Sequence, residues 1–237
     1  MRILTLALLL LPFVPACSKV ESSSILTSGM SALMSVSADG SGKTVASASL
    51  RVGDSALEYV DLSAGDSLLA SSGAKSQSMA RSSILNVVTY STEFAGLDAA
   101  GTPYAIAFKR SVDSGAPSST CTLPTPLTIT SPPPSTSFSR ASTDISVTWN
   151  GGSSDTMRYE IKGDCLAAKV DGIAGDPGIV VLARGTIAVG DPKNAGVTCA
   201  GTIVLKRQRT GKLDPAFGHG GSIFGEQVRS VSFTSTP

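Results

Sequence analysis

The sequence predicts an all-β protein. Three observations carry this. Hydrophobic residues recur at every second position through most of the chain, Gly, Asp, Asn and Pro clusters interrupt these runs at short intervals, and no long stretch keeps a helical period. Alternation of this kind places one face of a strand on a core and the other in water.

Taken in order, the runs are clear. Ala46, Ala48, Leu50 and Val52 alternate with Ser47, Ser49 and Arg51. Val88, Tyr90, Thr92 and Phe94 follow, then Tyr104, Ile106 and Phe108. In the second half come Ile145, Val147 and Trp149, then Met157, Tyr159 and Ile161, with Arg158, Glu160 and Lys162 on the opposite face. Val231 and Phe233 close the series. Turn signals lie between them at Asp39-Gly40, Asp98 to Gly101, Asn150-Gly151-Gly152, Asp176-Pro177-Gly178 and Gly190-Asp191-Pro192.

The chain has 237 residues, of which 41% are hydrophobic and 16% charged. That is enough core material for one large or two ordinary domains. Net charge is +1. Removing residues 1–16 takes away Arg2 and no acid, leaving 18 basic residues against 18 acidic ones. A neutral body lacks the cationic footprint that nucleic acid requires, so no nucleic-acid partner is expected. The one basic cluster, Lys206-Arg207-Gln208-Arg209, reads as a solvated strand end.

The first residues have the parts of a secretory signal: a positive start, an apolar run from Ile3 to Leu11, and a small residue, Ala16, before Cys17. The run is shorter than the roughly 20 residues a spanning helix needs. Val14-Pro15-Ala16-Cys17 resembles the lipobox of bacterial lipoproteins, from which Pro15 departs where a small residue is usual. The other reading is an ordinary secreted protein cut nearby. The resemblance implies that residues 1–16 are removed and that Cys17 becomes the lipidated first residue, held by several acyl chains. Ser18 behind it, rather than Asp, fits the outer membrane of a Gram-negative cell. Residues 17–35, Ser-rich and without strict period, then read as a flexible tether.

Export favours disulfides. Cys121, Cys165 and Cys199 remain, and a Cys165–Cys199 bond is expected because both lie beside strands of the second half. Cys121 is left as a buried thiol or an intermolecular link. Three thiols with no Cys-x-x-Cys pair and one distant His do not match structural zinc, and no cofactor is implied.

Ser131-Pro132-Pro133-Pro134-Ser135 cannot sit inside a central strand. It is expected to break the first strand of a second domain in two, with the linker just upstream around Leu123 to Pro126. The domains are thus an N-terminal sandwich over 36–122 and a C-terminal one over 127–237. Thr128-Ile129-Thr130-Ser131-Pro132, Ile145-Ser146-Val147-Thr148-Trp149 and Tyr159-Glu160-Ile161 resemble the opening of fibronectin type III and related immunoglobulin-like domains. There a Trp on the second strand packs near a Tyr on the third. The resemblance implies two immunoglobulin-like β-sandwiches and says nothing of activity. Leu213 to Gly221 is similar to a short β-turn repeat of other bacterial β proteins. As a whole, the chain is similar to surface lipoproteins of predatory or social Gram-negative bacteria.

Several strings suggest chemistry. Gly65-Asp66-Ser67-Leu68, and nearly Gly53-Asp54-Ser55-Ala56, spell the nucleophile block of the GDSL hydrolases. That family needs a His to activate the Ser and an Asp three residues before it. His219, the one histidine, has Asp214 five residues back, so both blocks read better as turns. Asp39-Gly40-Ser41-Gly42-Lys43-Thr44 lacks the first Gly of a phosphate loop, with Ser37 in its place, and reads as a hairpin turn. Ser72-Gly73-Ala74-Lys75 has the Ser-x-x-Lys spacing of penicillin-binding enzymes without its partner motifs. Paired carboxylates for glycoside chemistry are spatial and stay open. Calcium between Asp-bearing loops is an alternative without an Asp-x-Asp-x-Asp string to support it. Trp149, Tyr159, Phe108 and Phe233 fall on apolar faces and are expected in the core rather than on a sugar platform. The leading expectation is a non-enzymatic, lipid-anchored envelope module, structural or binding a protein or glycan partner through loops or a sheet edge. The alternatives are an envelope serine hydrolase using Ser67 or Ser55, and a carbohydrate- or calcium-binding module.

Overall fold

A computed structural model describes residues 18–237. The expected signal peptide and Cys17 lie outside the described residues. Strands dominate, joined by turns and three short 3-10 segments at Ser22–Ser24, Thr27–Gly29 and Pro192–Asn194. The chain is all-β and its sheets stack as sandwiches.

The first body comprises β1 (Ser18–Glu21), β2 (Met30–Ala38), β3 (Lys43–Val52), β4 (Glu58–Asp61) and β5 (Ser67–Ser72). It continues with β6 (Lys75–Ser78), β7 (Ala80–Ile84), β8 (Val87–Ala95), β9 (Pro103–Lys109) and β10 (Ala116–Thr122). The second body comprises β11 (Ile129–Ser131), β12 (Thr136–Ser139), β13 (Ile145–Trp149) and β14 (Thr156–Gly163). To these it adds β15 (Lys169–Ile173), β16 (Ile179–Leu182), β17 (Cys199–Thr210) and β18 (Gly221–Thr236).

Period-two alternation and register explain the first core. Met30, Ala32, Met34, Val36 and Ala38 of β2 all point inward, as do Ala46, Ala48 and Leu50 of β3. The antiparallel register sets Leu50 opposite Ala32, Ala48 opposite Met34 and Ala46 opposite Val36. Each pair joins a larger side chain to a smaller one, which lets the two strands interdigitate in one layer. Sheet β10-β9-β5-β6 covers this layer with Leu68, Ala70, Tyr104, Ile106 and Phe108. Burial of each such large side chain contributes about 1.5–3 kcal/mol.

The expected tether is corrected. Residues 18–35 are not a flexible leash: β1 pairs in parallel with β4, and β2 begins at Met30 in the centre of the large sheet. Serines mislead there because Ser31, Ser35 and Ser37 take three of the four outward positions, beside Leu33, of a strand whose inward ones are apolar. Arg110 fixes the segment further, donating to the Ile25 and Ser22 carbonyl oxygens while paired with Asp66 and Asp113.

In the second body β11-β13-β16 faces β12-β18-β17-β14-β15. This is the immunoglobulin-like arrangement, with the first strand divided between sheets. The division falls at the prolines: β11 pairs with β13, whereas β12 runs parallel to the end of β18, and the Ser131–Pro132 peptide between them is cis. Trp149, Tyr159, Phe233 and Ile203 fill this core, and Phe108 belongs to the first.

The two bodies are fused by one long hairpin. β17 and β18 pair from Cys199↔Ser235 to Thr210↔Phe224. Beyond the second sandwich, Gly221 to Gln227 of β18 pairs in parallel with β2. One 11-stranded sheet therefore crosses the molecule. The hairpin loop also enters the first core, where Phe217 stacks on Phe108 with ring centroids 6.2 Å apart. The first sandwich thus exceeds 36–122 at both ends, drawing on Met30 to Met34 and on Phe217 and Ile223. The cores change over between Leu123, in the first, and Leu127, in the second.

Candidate functional site

The solvent face of the shared sheet carries a trough of about 470 Å³. Its floor follows from the alternation that builds the cores. If Ile223, Ile203 and Tyr159 point inward, then Phe224 and Glu226 on β18, Lys206 and Gln208 on β17, and Arg158 and Glu160 on β14 must point outward. β2 and β3 add Leu33, Ser35, Ser47 and Ser49 from the first body.

Outward residues in the middle of a flat sheet would be wet. Here Glu226 and Gln208 are each only 7% exposed. The sheet therefore curves so that its outer face is concave where the bodies join. The Glu226 carboxylate is held there: Ser37 donates its hydroxyl at 2.5 Å and Gln208 donates its side-chain amide. Lys206 lies 3.8 Å from Glu160 on the rim. A second depression of about 310 Å³, lined by Asp39, Lys43, Lys162, Val204 and Val228, shares Glu226 and Lys206 and lengthens the trough. Hydroxyl, amide, carboxylate, ammonium and guanidinium groups are thus set along a groove that crosses both bodies.

Sequence reasoning looked to loops and sheet edges and missed this face. Each outward residue is ordinary in its own strand. Only the pairing of β18 with β2 assembles them, and that pairing joins segments nearly the whole chain apart. The basic cluster also needs correction. Lys206 and Gln208 face the trough, but Arg207 is buried rather than solvated and pairs with Asp176 at 3.0 Å. It donates to the Thr125, Pro126 and Asn150 carbonyl oxygens, locking the linker against the second body. Arg209 forms a two-point pair with Asp155 at 2.7 and 2.9 Å.

The hydrolase strings do not come together. Asp66 is buried against Arg110 and accepts from the Ser111 backbone, while Ser67 enters β5 opposite Lys109. His219 lies in the other block's neighbourhood, its Nδ1 3.4 Å from Asp54 Oδ1. The Ser55 hydroxyl accepts from the Leu57 and Glu58 backbone as a turn. Asp214 accepts from the Ser118 N–H and hydroxyl and from the Ala216 N–H instead of orienting His219. Among the described residues no serine hydroxyl is hydrogen-bonded to His219.

The other strings serve turns. Asp39 accepts from the Ser41 N–H and hydroxyl within the β2–β3 hairpin, where Gly40 and Gly42 both have φ of 84°. That conformation favours glycine over residues with a Cβ. Ser72 and Lys75 pair across the β5–β6 turn, with the Ser72 hydroxyl donated to the Pro103 carbonyl oxygen and Lys75 to that of Ala95.

Cys165 and Cys199 form the expected disulfide, with Cα atoms 5.7 Å apart. Asp164 lies close enough to share an ion with both sulfurs, but the disulfide removes the thiolates a soft metal would need. Cys121 is a buried free thiol. Burial, with a smaller contribution from the Glu226 charge, pushes it up to about 12.

No protein-family model matches the chain, and no curated protein matches it. Among solved structures it is similar to chicken CNTN1 FN1-FN3 domains, at 10% identity and a TM-score of 0.28, over 86% of this chain and 64% of that one. It is also similar to the mouse nectin-like molecule 4 full ectodomain (Ig1-Ig3), at 8% identity and a TM-score of 0.27, over 88% of this chain and 64% of that one. The chain thus spans just under two thirds of each. The fold assignment rests on its own sheets and strand order.

Proposed function

We propose that this chain is a cell-envelope lipoprotein, anchored through a lipid on Cys17, whose fused sandwiches bind a partner without transforming it. The trough supports this reading best. A sheet face that is concave, buried at its centre and lined by fixed polar groups suits an extended, hydroxyl-rich chain such as an envelope glycan. The anchor reading is supported by Val14-Pro15-Ala16-Cys17 behind an apolar run, and Ser18 favours the outer membrane over the inner. Against catalysis stand the separate engagements of Ser55, Ser67, Asp214 and His219. Glu160 and Glu226 are likewise engaged by Lys206, Ser37 and Gln208.

Two measurements test the reading. Mass spectrometry of the N-terminal peptide should find acylated Cys17, and Cys17→Ser should release the protein from membranes. A glycan array, with peptidoglycan fragments included, should give hits that Arg158→Ala and Lys206→Ala weaken about tenfold or more, equivalent to the roughly 1.5–3 kcal/mol of a charged hydrogen bond. Ester or peptidoglycan hydrolysis that disappears in Ser55→Ala, Ser67→Ala or His219→Ala would instead establish an enzyme.

A further inference from the structure

One end of the first sandwich exposes a set of large apolar side chains, and the chain enters at that same end. β3 runs toward it and closes beside β4, with Arg51 opposite Tyr59. Ser18, the first described residue, is level with Glu58 in the neighbouring strand. β8 lies antiparallel to β3 with Tyr90 opposite Ala48, so the β7–β8 turn projects at this end too. Met30 opposite Val52 brings the 22–29 segment there, and Thr27 N–H donates to Asp113 at 2.7 Å, adding the 110–114 loop.

These loops expose Leu26, Leu57, Ile84, Leu85 and Val112. The far end of the same sandwich presents Asp39, Ser41, Lys43 and Lys75. Leu85 is a separate sign. Leu85 and Asn86 form a two-residue turn with φ of 50° and 66°. Such turns select Gly, Asn or Asp, because the left-handed conformation crowds a Cβ. A leucine placed there, 89% exposed beside an Ile84 that is 72% exposed, is explained neither by turn geometry nor by burial within the chain.

The absence of a loose tether joins the two observations. Cys17 is one peptide bond from a strand residue, about 3.8 Å between Cα atoms. A lipid on Cys17 would hold this end at the membrane with no slack. Lys19, Arg51 and Arg81 at this end stand beside as many acids, Asp54, Glu58 and Asp61, so it carries no cationic patch for anionic headgroups.

We propose that this end of the first sandwich lies against the phospholipid bilayer, with Ile84 and Leu85 seated at the boundary of headgroups and acyl chains. The inference rests on the anchored reading above and adds an orientation to it. Several acyl chains on Cys17 hold the chain at the membrane but do not set its tilt, and an apolar tip beside them is a second contact that fixes the pose.

The test uses the full lipidated chain in phosphatidylcholine vesicles, with a bimane dye on Leu85→Cys or, at the far end, Ala74→Cys. Buried Cys121 stays unlabelled in both. Nitroxide lipids labelled near the headgroup should quench the dye at position 85 several-fold more than at 74, at low and high salt alike. Equal quenching, or none at 85 in protein that still floats with vesicles, overturns the orientation and leaves the anchor standing. Protein that fails to float, with Cys17→Ser indistinguishable from the native chain, overturns both.

Discussion

At the scale of single residues, two buried ion pairs decide how the loops are held. Arg207–Asp176 and Arg110–Asp66 are nearly solvent-free on both sides. Burial is the largest influence on Asp176 and opposes its charge. The Ser153 hydroxyl, the Trp149 indole at 2.6 Å, the Ser153 N–H and Arg207 together outweigh it, and the carboxyl titrates below its ordinary 3.8. A depressed carboxyl contributes stability that is complete above the unfolded value and is lost as pH falls through the folded one. Urea midpoints should therefore fall below about pH 4, and Asp176→Asn should flatten that limb. At neutral pH Asp176→Ala should cost about 3–5 kcal/mol, because it strands a buried guanidinium. Cys121 should resist thiol reagents at pH 8 in the native chain and react at once in denaturant. None of these pairings was legible in the sequence. Trp149 and Tyr159 were, since alternation alone assigns a side chain to an inner face but not to a partner.

At the scale of elements, the β17–β18 hairpin organises everything else. Its entry into the first body depends on close backbone approach at Gly225, where a Cβ would lie 2.0 Å from the Thr122 carbonyl oxygen. Gly225→Val should force β10 away from β18 and lower stability by 1–3 kcal/mol or more. The expected loss is a reduced urea midpoint with Tyr104 and Phe217 less protected. The strands themselves were legible: Ile145 to Trp149 and Met157 to Ile161 stand where period two puts them. β2 was not, although Met30, Ala32, Met34 and Val36 keep the same period. Serine at three of its four outward positions, Ser31, Ser35 and Ser37, gave that strand the composition of a linker.

At the scale of the whole molecule, a shared sheet couples two cores that sequence alone separates at a linker. Calorimetry should show one transition with equal calorimetric and van't Hoff enthalpies rather than one per sandwich. Reducing Cys165–Cys199, which closes a 34-residue separation, should lower stability by roughly 3–4 kcal/mol in that one transition. The break at the prolines was legible, since β11 ends at Ser131 and β12 begins at Thr136 as a first strand cut in two. The fusion was not, because it depends on register between β18 and β2. The same fusion creates the trough, the proposed binding face. The most direct measurement is glycan-array binding by the native chain beside Arg158→Ala and Lys206→Ala, with bound glycan recovered and weighed. Selective binding by the native chain, weakened in both variants and returning intact glycan, is the predicted result. Equal binding by all three proteins, or a shortened glycan, would contradict it.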